Sequence, residues 1–165
     1  MTEEQESLNN YEINERKLAD ELFKLIPTIE SVEYTQGRIC YDCLIKMKNQ
    51  KTVLGEIKVR NIEINKYPDY ILEVSKLISL INKYKKLGSD RIYYINFFSN
   101  KIEGIKDFIV FDLTARMKVW KENKPKIYKK YMNKVTYISN EKVCKEVIML
   151  QYDEKIDMKG IMNCN

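Results

Sequence analysis

The chain has 165 residues, 44% of them apolar and 32% charged, with few Gly and Pro; this is the composition of one folded domain and excludes a disordered or fibrous chain. It contains no histidine, which excludes Ser-His-Asp hydrolases, histidine-based nucleases and histidine-ligated zinc enzymes, and leaves Lys, Glu, Asp, Tyr or a metal-coordinated water as any general base. The net charge of +5 is uneven: residues 1–33 hold nine acids and three bases, whereas Arg116 to Lys134 hold eight bases and one acid, Glu122, a cationic stretch suited to polyanions and to nucleic acid above all.

The first ten residues are polar and acidic, unlike a secretory signal, and no apolar run is long enough to span a bilayer. The expected location is the cytoplasm, with no membrane partner. The composition, rich in Lys, Asn and Ile, suits an AT-rich genome, viral or bacterial, so a virus-encoded protein acting in its host cell fits it.

Residues 11–29 read as a helix, with Leu18, Leu22, Leu25, Ile26 and Ile29 at helical spacing and Pro27 ending it near Leu25 or Ile26. Residues 31–35 and 38–46 read as extended, with Gln36-Gly37 as the turn between them. After the polar tip Lys48-Asn49-Gln50, residues 51–60 form another strand, so that 38–60 reads as a hairpin. Pro68 and Asp69 open a helix over 69–87, striped by Tyr70, Val74, Leu77, Ile78, Ile81 and Tyr84 and stopped by Gly88. Apolar strands follow at 91–98 and 107–114.

Beyond Thr114 the pattern weakens. Residues 116–134 are basic, with Trp120, Tyr128 and Tyr131 interleaved, and 135–139 with 145–151 suggest a late hairpin. These aromatics could stack on bases, but packing of the tail on a small core is the favoured reading. The element order predicts a mixed α/β fold, a mixed central sheet flanked by helices. It is read as one domain, with a core over about 11–114 and a basic C-terminal extension over about 115–165.

Cys40 and Cys43 have C-x-x-C spacing, but residues three apart on a strand point to opposite faces and no second pair follows. Together with Cys144 and Cys164 they read as free thiols of a reducing compartment, the buried kind, and not as a zinc or redox motif.

The chemistry concentrates in Gly55-Glu56-Ile57-Lys58-Val59-Arg60. Alternation on a strand projects Glu56, Lys58 and Arg60 from one face and turns Ile57 and Val59 to the other. Three charges on one side of an otherwise apolar strand need a reason, because unpaired charge is costly to bury. Asp42, the one acid in the preceding run from Ile39 to Ile45, comes close to Glu56 if the two segments pair. Two converging carboxylates suit a hard cation such as Mg²⁺, which can stabilise charge on a phosphate oxygen and activate a water. Lys58 beside that water would orient it or take its proton, and would offset negative charge in the transition state. Other Glu-x-Lys runs, Glu15-Arg16-Lys17 and Glu122-Asn123-Lys124, lack such a strand and such an Asp.

Asp42, with thirteen residues between it and Glu56-Ile57-Lys58, resembles the signature of the PD-(D/E)XK nuclease superfamily. The order helix, hairpin bearing the acids, crossover helix and further strands over 11–114 is similar to that superfamily's restriction-endonuclease-like core. Tyr41 stands where the motif's Pro would be. The resemblance implies hydrolysis of DNA phosphodiesters with Mg²⁺, Mn²⁺ substituting, with Asp42 and Glu56 as metal ligands and Lys58 as the catalytic lysine. It also implies a homodimer, since many enzymes of this fold cut two strands as dimers. Asn14-Glu15-Arg16-Lys17-Leu18 looks like a leading-helix segment of archaeal Holliday-junction resolvases, which makes Glu15 a fourth site residue, with Glu21 as second choice. Arg60, Lys76, Arg116, Lys118 and Lys121 are candidate contacts to nucleic acid, and Glu73 could approach the site. The competing expectation is a nuclease fold without turnover that binds nucleic acid, or a viral structural or assembly component.

Overall fold

A computed structural model gives the fold and describes residues 3–36, 40–60, 62–64, 66–100, 104–134 and 141–156. Helix α1 (Glu3–Lys24) leads into β1 (Ile29–Tyr34), β2 (Cys43–Met47) and β3 (Thr52–Arg60). Then come β4 (Asp69–Glu73), α2 (Val74–Leu87), β5 (Arg91–Asn100), β6 (Gly104–Asp112), α3 (Leu113–Glu122), β7 (Ile127–Asn133) and β8 (Lys142–Gln151). A single 3₁₀ turn, Tyr152–Glu154, follows.

The central sheet has the order β1-β2-β3-β5-β6. Only β3 and β5 run parallel; the other neighbours are antiparallel. A parallel pair requires a crossover, and the chain between β3 and β5 supplies it through β4 and α2. The fold is therefore mixed α/β, with a mixed central sheet and, among the described residues, three α-helices.

Alternation along the strands divides the core in two. Val53, Ile57, Val59, Tyr93, Ile95 and Phe97 pack under α1 against Ala19, Leu22 and Phe23. On the other face Leu54, Ile92, Tyr94, Phe98 and Phe111 meet Leu77 and Leu80 of α2, Leu113 of α3, and Tyr70, Leu72, Ile148 and Leu150 of a second sheet. That second sheet, β4-β8-β7, is antiparallel throughout.

Several expectations need correction. Asp69–Glu73 is a strand and not the first turn of the second helix: it pairs with β8 from Asp69↔Gln151 to Glu73↔Val147. The helix begins at Val74, and Gly88 closes it at φ 64° as expected. Leu113–Glu122 is a helix where the pattern reading found none, with Asp112 at its N-cap accepting from Ala115 N at 3.0 Å. The late hairpin joins 127–133 to 142–151; residues 135–139, Gly37 and Cys164 lie outside the described residues. The stretch after 115 is built into the fold through β4 rather than appended to it. Of the thiols, Cys43 is buried, Cys40 half-buried and Cys144 exposed, all free.

Gly55, the residue before Glu56, faces Cys43 across the β2–β3 ladder. A Cβ built there would stand 2.5 Å from Cys43 Sγ, closer than packed atoms tolerate. Gly55→Ala is expected to lower stability by roughly 1–3 kcal/mol, and Cys43→Ala in the same chain to restore part of it. Urea denaturation measures both, and equal midpoints for wild type and Gly55→Ala would show that the strands part at no cost.

Candidate active site

β3 runs on past the start of β2. The register ends at Cys43↔Gly55, with Asp42 N donating to Gly55 O at 2.9 Å. Beyond that point the outward N–H groups of β3 have no strand to pair with among the described residues, and backbone donors at such an edge need other acceptors. Carboxylates take their place. Ile57 N donates to Asp42 Oδ2 at 2.6 Å, and Val59 N to Glu15 Oε1 at 3.4 Å.

Asp42 is fixed in turn from β1, its carbonyl accepting from Thr35 N at 2.9 Å and from Thr35 Oγ1 at 3.2 Å. The same edge opens a polar cavity of about 20 Å³ lined by Glu12, Glu15, Arg16, Thr35, Asp42 and Ile57. That is room for one water or one small ion. Arg16 is held by Glu12 at 3.5 Å and by Thr35 O at 2.5 Å.

Glu56 lies on the α2 side of the sheet and is 0% exposed. Lys58 Nζ stands 3.2 Å from one of its oxygens and Lys76 Nζ, from the first turn of α2, 2.9 Å from the other. Burial pushes the Glu56 carboxyl up to about 7; Lys58 pulls it back, Asp42 adds to the rise, and Lys76 opposes it. For Lys58 burial disfavours the charge, but the neighbouring acids, Glu56 foremost, outweigh it and hold the group above the ordinary lysine value. With 44% of its side chain exposed, Lys58 is placed where its ammonium can reach a ligand.

Asp42, Glu56, Lys58 and Glu15 thus gather around β3 between α1 and α2. Lys76, read from sequence as a phosphate contact, joins them as a second lysine on Glu56, with Cys40 O 3.5 Å away. Its sequence signal was the start of the crossover helix, which the topology brings over β3.

Arg60 turns inward. Its Nε donates to Asn96 Oδ1 at 2.7 Å, another nitrogen donates to Tyr94 OH at 3.1 Å, and the group lies 5.8 Å from the Tyr70 ring centroid. It ties β3 to β5 and β4. Glu73 pairs with Lys145 of β8 at 3.0 Å instead of approaching the site, and Glu21 is exposed on α1. Arg116 pairs with Glu154; Lys118 and Lys121 are exposed on α3. None of those three lines the acidic cavity.

The donors present fit a hard cation. Among the described residues no three acid, cysteine or thiol-type side chains form a cage of their own, but Mg²⁺ commonly takes one or two carboxylates and completes its shell with water and phosphate oxygens. Glu56 offers a buried carboxylate with an ammonium group on each oxygen, to which no backbone N–H or hydroxyl among the described residues donates. Asp42 and the Ile57 backbone line the adjoining cavity.

The fold is similar to a solved structure, that of Hjc, a Holliday junction resolvase from Archaeoglobus fulgidus, an archaeal hyperthermophile. The TM-score is 0.51 at 12% identity, over 89% of this chain and 98% of the resolvase. At that identity the likeness is one of fold alone. No family model and no curated protein matches the sequence.

Proposed function

We propose that the protein is a Mg²⁺-dependent deoxyribonuclease that hydrolyses phosphodiester bonds at the β3 edge, with Mn²⁺ able to substitute. The observation that carries this reading is Glu56, a fully buried carboxylate with Lys58 and Lys76 on its two oxygens. Burying such a charge destabilises a fold, so its presence beside a second acid, Asp42, speaks for a ligand that uses it. When bound, the metal supplies positive charge to a phosphate oxygen and makes its water more acidic. Asp42 and Glu56 hold it, and Glu15 supports the edge through Val59 N. Lys58 orients the attacking water and offsets negative charge as the bond from phosphorus to the leaving oxygen breaks. Lys76 keeps Glu56 in place from the opposite side.

DNA as substrate rests on the cationic charge balance and on the fold's likeness to a junction resolvase; four-way junctions are therefore the substrate to try first. The decisive experiment is incubation of the purified protein with single-stranded, duplex, flap and four-way-junction DNA in Mg²⁺, Mn²⁺ or EDTA. Cleavage in either metal and none in EDTA is expected. A dimer is expected in sedimentation of the same sample, two sites serving two strands. Metal-independent cutting would refute the mechanism. Binding without any cutting would favour a nuclease fold that holds DNA without turnover.

A further inference from the structure

A second cleft, of about 270 Å³, opens between α3 and the β7–β8 hairpin. Arg116, Trp120, Asn123, Lys126 and Tyr128 line it, and none of the residues proposed for catalysis does. Its walls combine aromatic faces with fixed positive charge. The Arg116 guanidinium lies 5.9 Å from the Trp120 ring centroid and Lys126 Nζ 5.1 Å from that of Tyr128. The acid on its rim, Glu154, is paired with Arg116.

The expected packing of these aromatics on the core holds only for Trp120, which lies partly against it. Tyr128 is 38% exposed and Tyr131 78%, on β7, the last strand of its sheet. Exposed aromatics along a sheet edge invite unwanted association unless something covers them. A small anion would use Lys126 and leave the rings idle, and an apolar protein surface would leave Lys126 without a counter-charge. An unpaired nucleotide uses both, stacking its base on a ring and setting its phosphate beside Lys126. A paired base has its faces covered by its neighbours in the duplex.

We propose that this cleft binds unpaired nucleotides of single-stranded DNA, with Trp120 and Tyr128 stacking on bases and Lys126 taking the phosphate. It would hold the strand away from the cutting edge and so favour substrates with unpaired segments. The choice of partner rests on the nuclease reading.

Trp120 is the one tryptophan of the chain, so its emission reports on this cleft alone. The full-length protein is titrated in EDTA with a short oligothymidylate, following both Trp120 emission and the anisotropy of a labelled strand, with a duplex of equal length in parallel. Emission should change with the same midpoint as anisotropy. Tyr128→Ala should weaken oligothymidylate binding at least about tenfold and duplex binding far less, while Lys126→Ala should reduce the salt slope by about one phosphate contact. Tyr128 is exposed, and a urea midpoint checks that its replacement leaves the fold intact. No binding of the oligomer, binding without any change at Trp120, or undiminished affinity in Tyr128→Ala would each overturn the proposal. Because the titration is made without metal, a failure of cleavage counts against the nuclease chemistry, and a silent Trp120 against the cleft.

Discussion

Lys58→Met is expected to lower DNA cleavage by about a thousandfold, the order lost when one preorganised charge or donor is removed from an active site, while DNA binding stays largely in place. Methionine keeps the apolar stem of the side chain, so the measured loss belongs to the ammonium. That ammonium sits 3.2 Å from Glu56 and is held in its charged form by the acids around it. Glu56→Gln should abolish cutting to the same extent by removing one of the two proposed carboxylate ligands. Lys46, on the next strand and paired with the exposed Glu33 at 2.6 Å, is the control: Lys46→Ala should cut at the wild-type rate, since exposed pairs contribute little. Single-turnover cleavage in Mg²⁺ separates these outcomes. Near-wild-type turnover in Lys58→Met would remove Lys58 from the mechanism.

The second large effect is on stability and depends on pH. Glu56 has its folded-state pKa raised from the ordinary 4.5 to about 7. Below the lower value it is protonated in folded and unfolded chains alike, and the fold keeps its full stability. Between the two values the folded chain retains a proton that the unfolded chain has lost, so stability falls as pH rises. Above the higher value the loss is complete, at about 3 kcal/mol. Without metal, Glu56→Gln should therefore be more stable than wild type at about pH 8 and equal to it near pH 4. Mg²⁺ should close the gap at the higher pH by binding the ionised carboxylate of the wild type, with no such gain in the variant. Urea midpoints across pH, with and without Mg²⁺, test this. A difference between the two proteins that does not vary with pH would refute the assignment of the raised pKa to Glu56.

The two effects have one origin. The carboxylate that makes the site costly to fold is the one proposed to hold the metal, and Lys58 and Lys76 offset only part of that cost. No helix among the described residues is long and apolar enough to cross a membrane.

Sequence alone determined the parts governed by local periodicity. The first helix, the strands around Asp42 and Glu56, the crossover helix with its Gly88 stop, and the strands expected at 91–98 and 107–114 follow from spacing and turn residues, most ends to within a few positions, although the first helix begins at Glu3, eight residues before its expected start. So does the shared face of Glu56 and Lys58, since alternation on a strand needs no partner to be read. Asp112 was a legible N-cap for α3, hidden because it closes an apolar strand. Only the tertiary structure decided β4. Pro68-Asp69 and the spacing of Tyr70, Val74 and Leu77 are helix signals, and they lose to a pairing with β8, a strand more than seventy residues away, from Asp69↔Gln151 to Glu73↔Val147; no local pattern reports so distant a partner. The same holds at the site. That Asp42 and Glu15 take the N–H groups of Ile57 and Val59, that Lys76 comes down on Glu56, and that Arg60 turns inward to Asn96 all depend on where β2 stops and where α2 lands. Those are consequences of packing two layers on one sheet, and a charge chooses its partner only after that packing has fixed the distances.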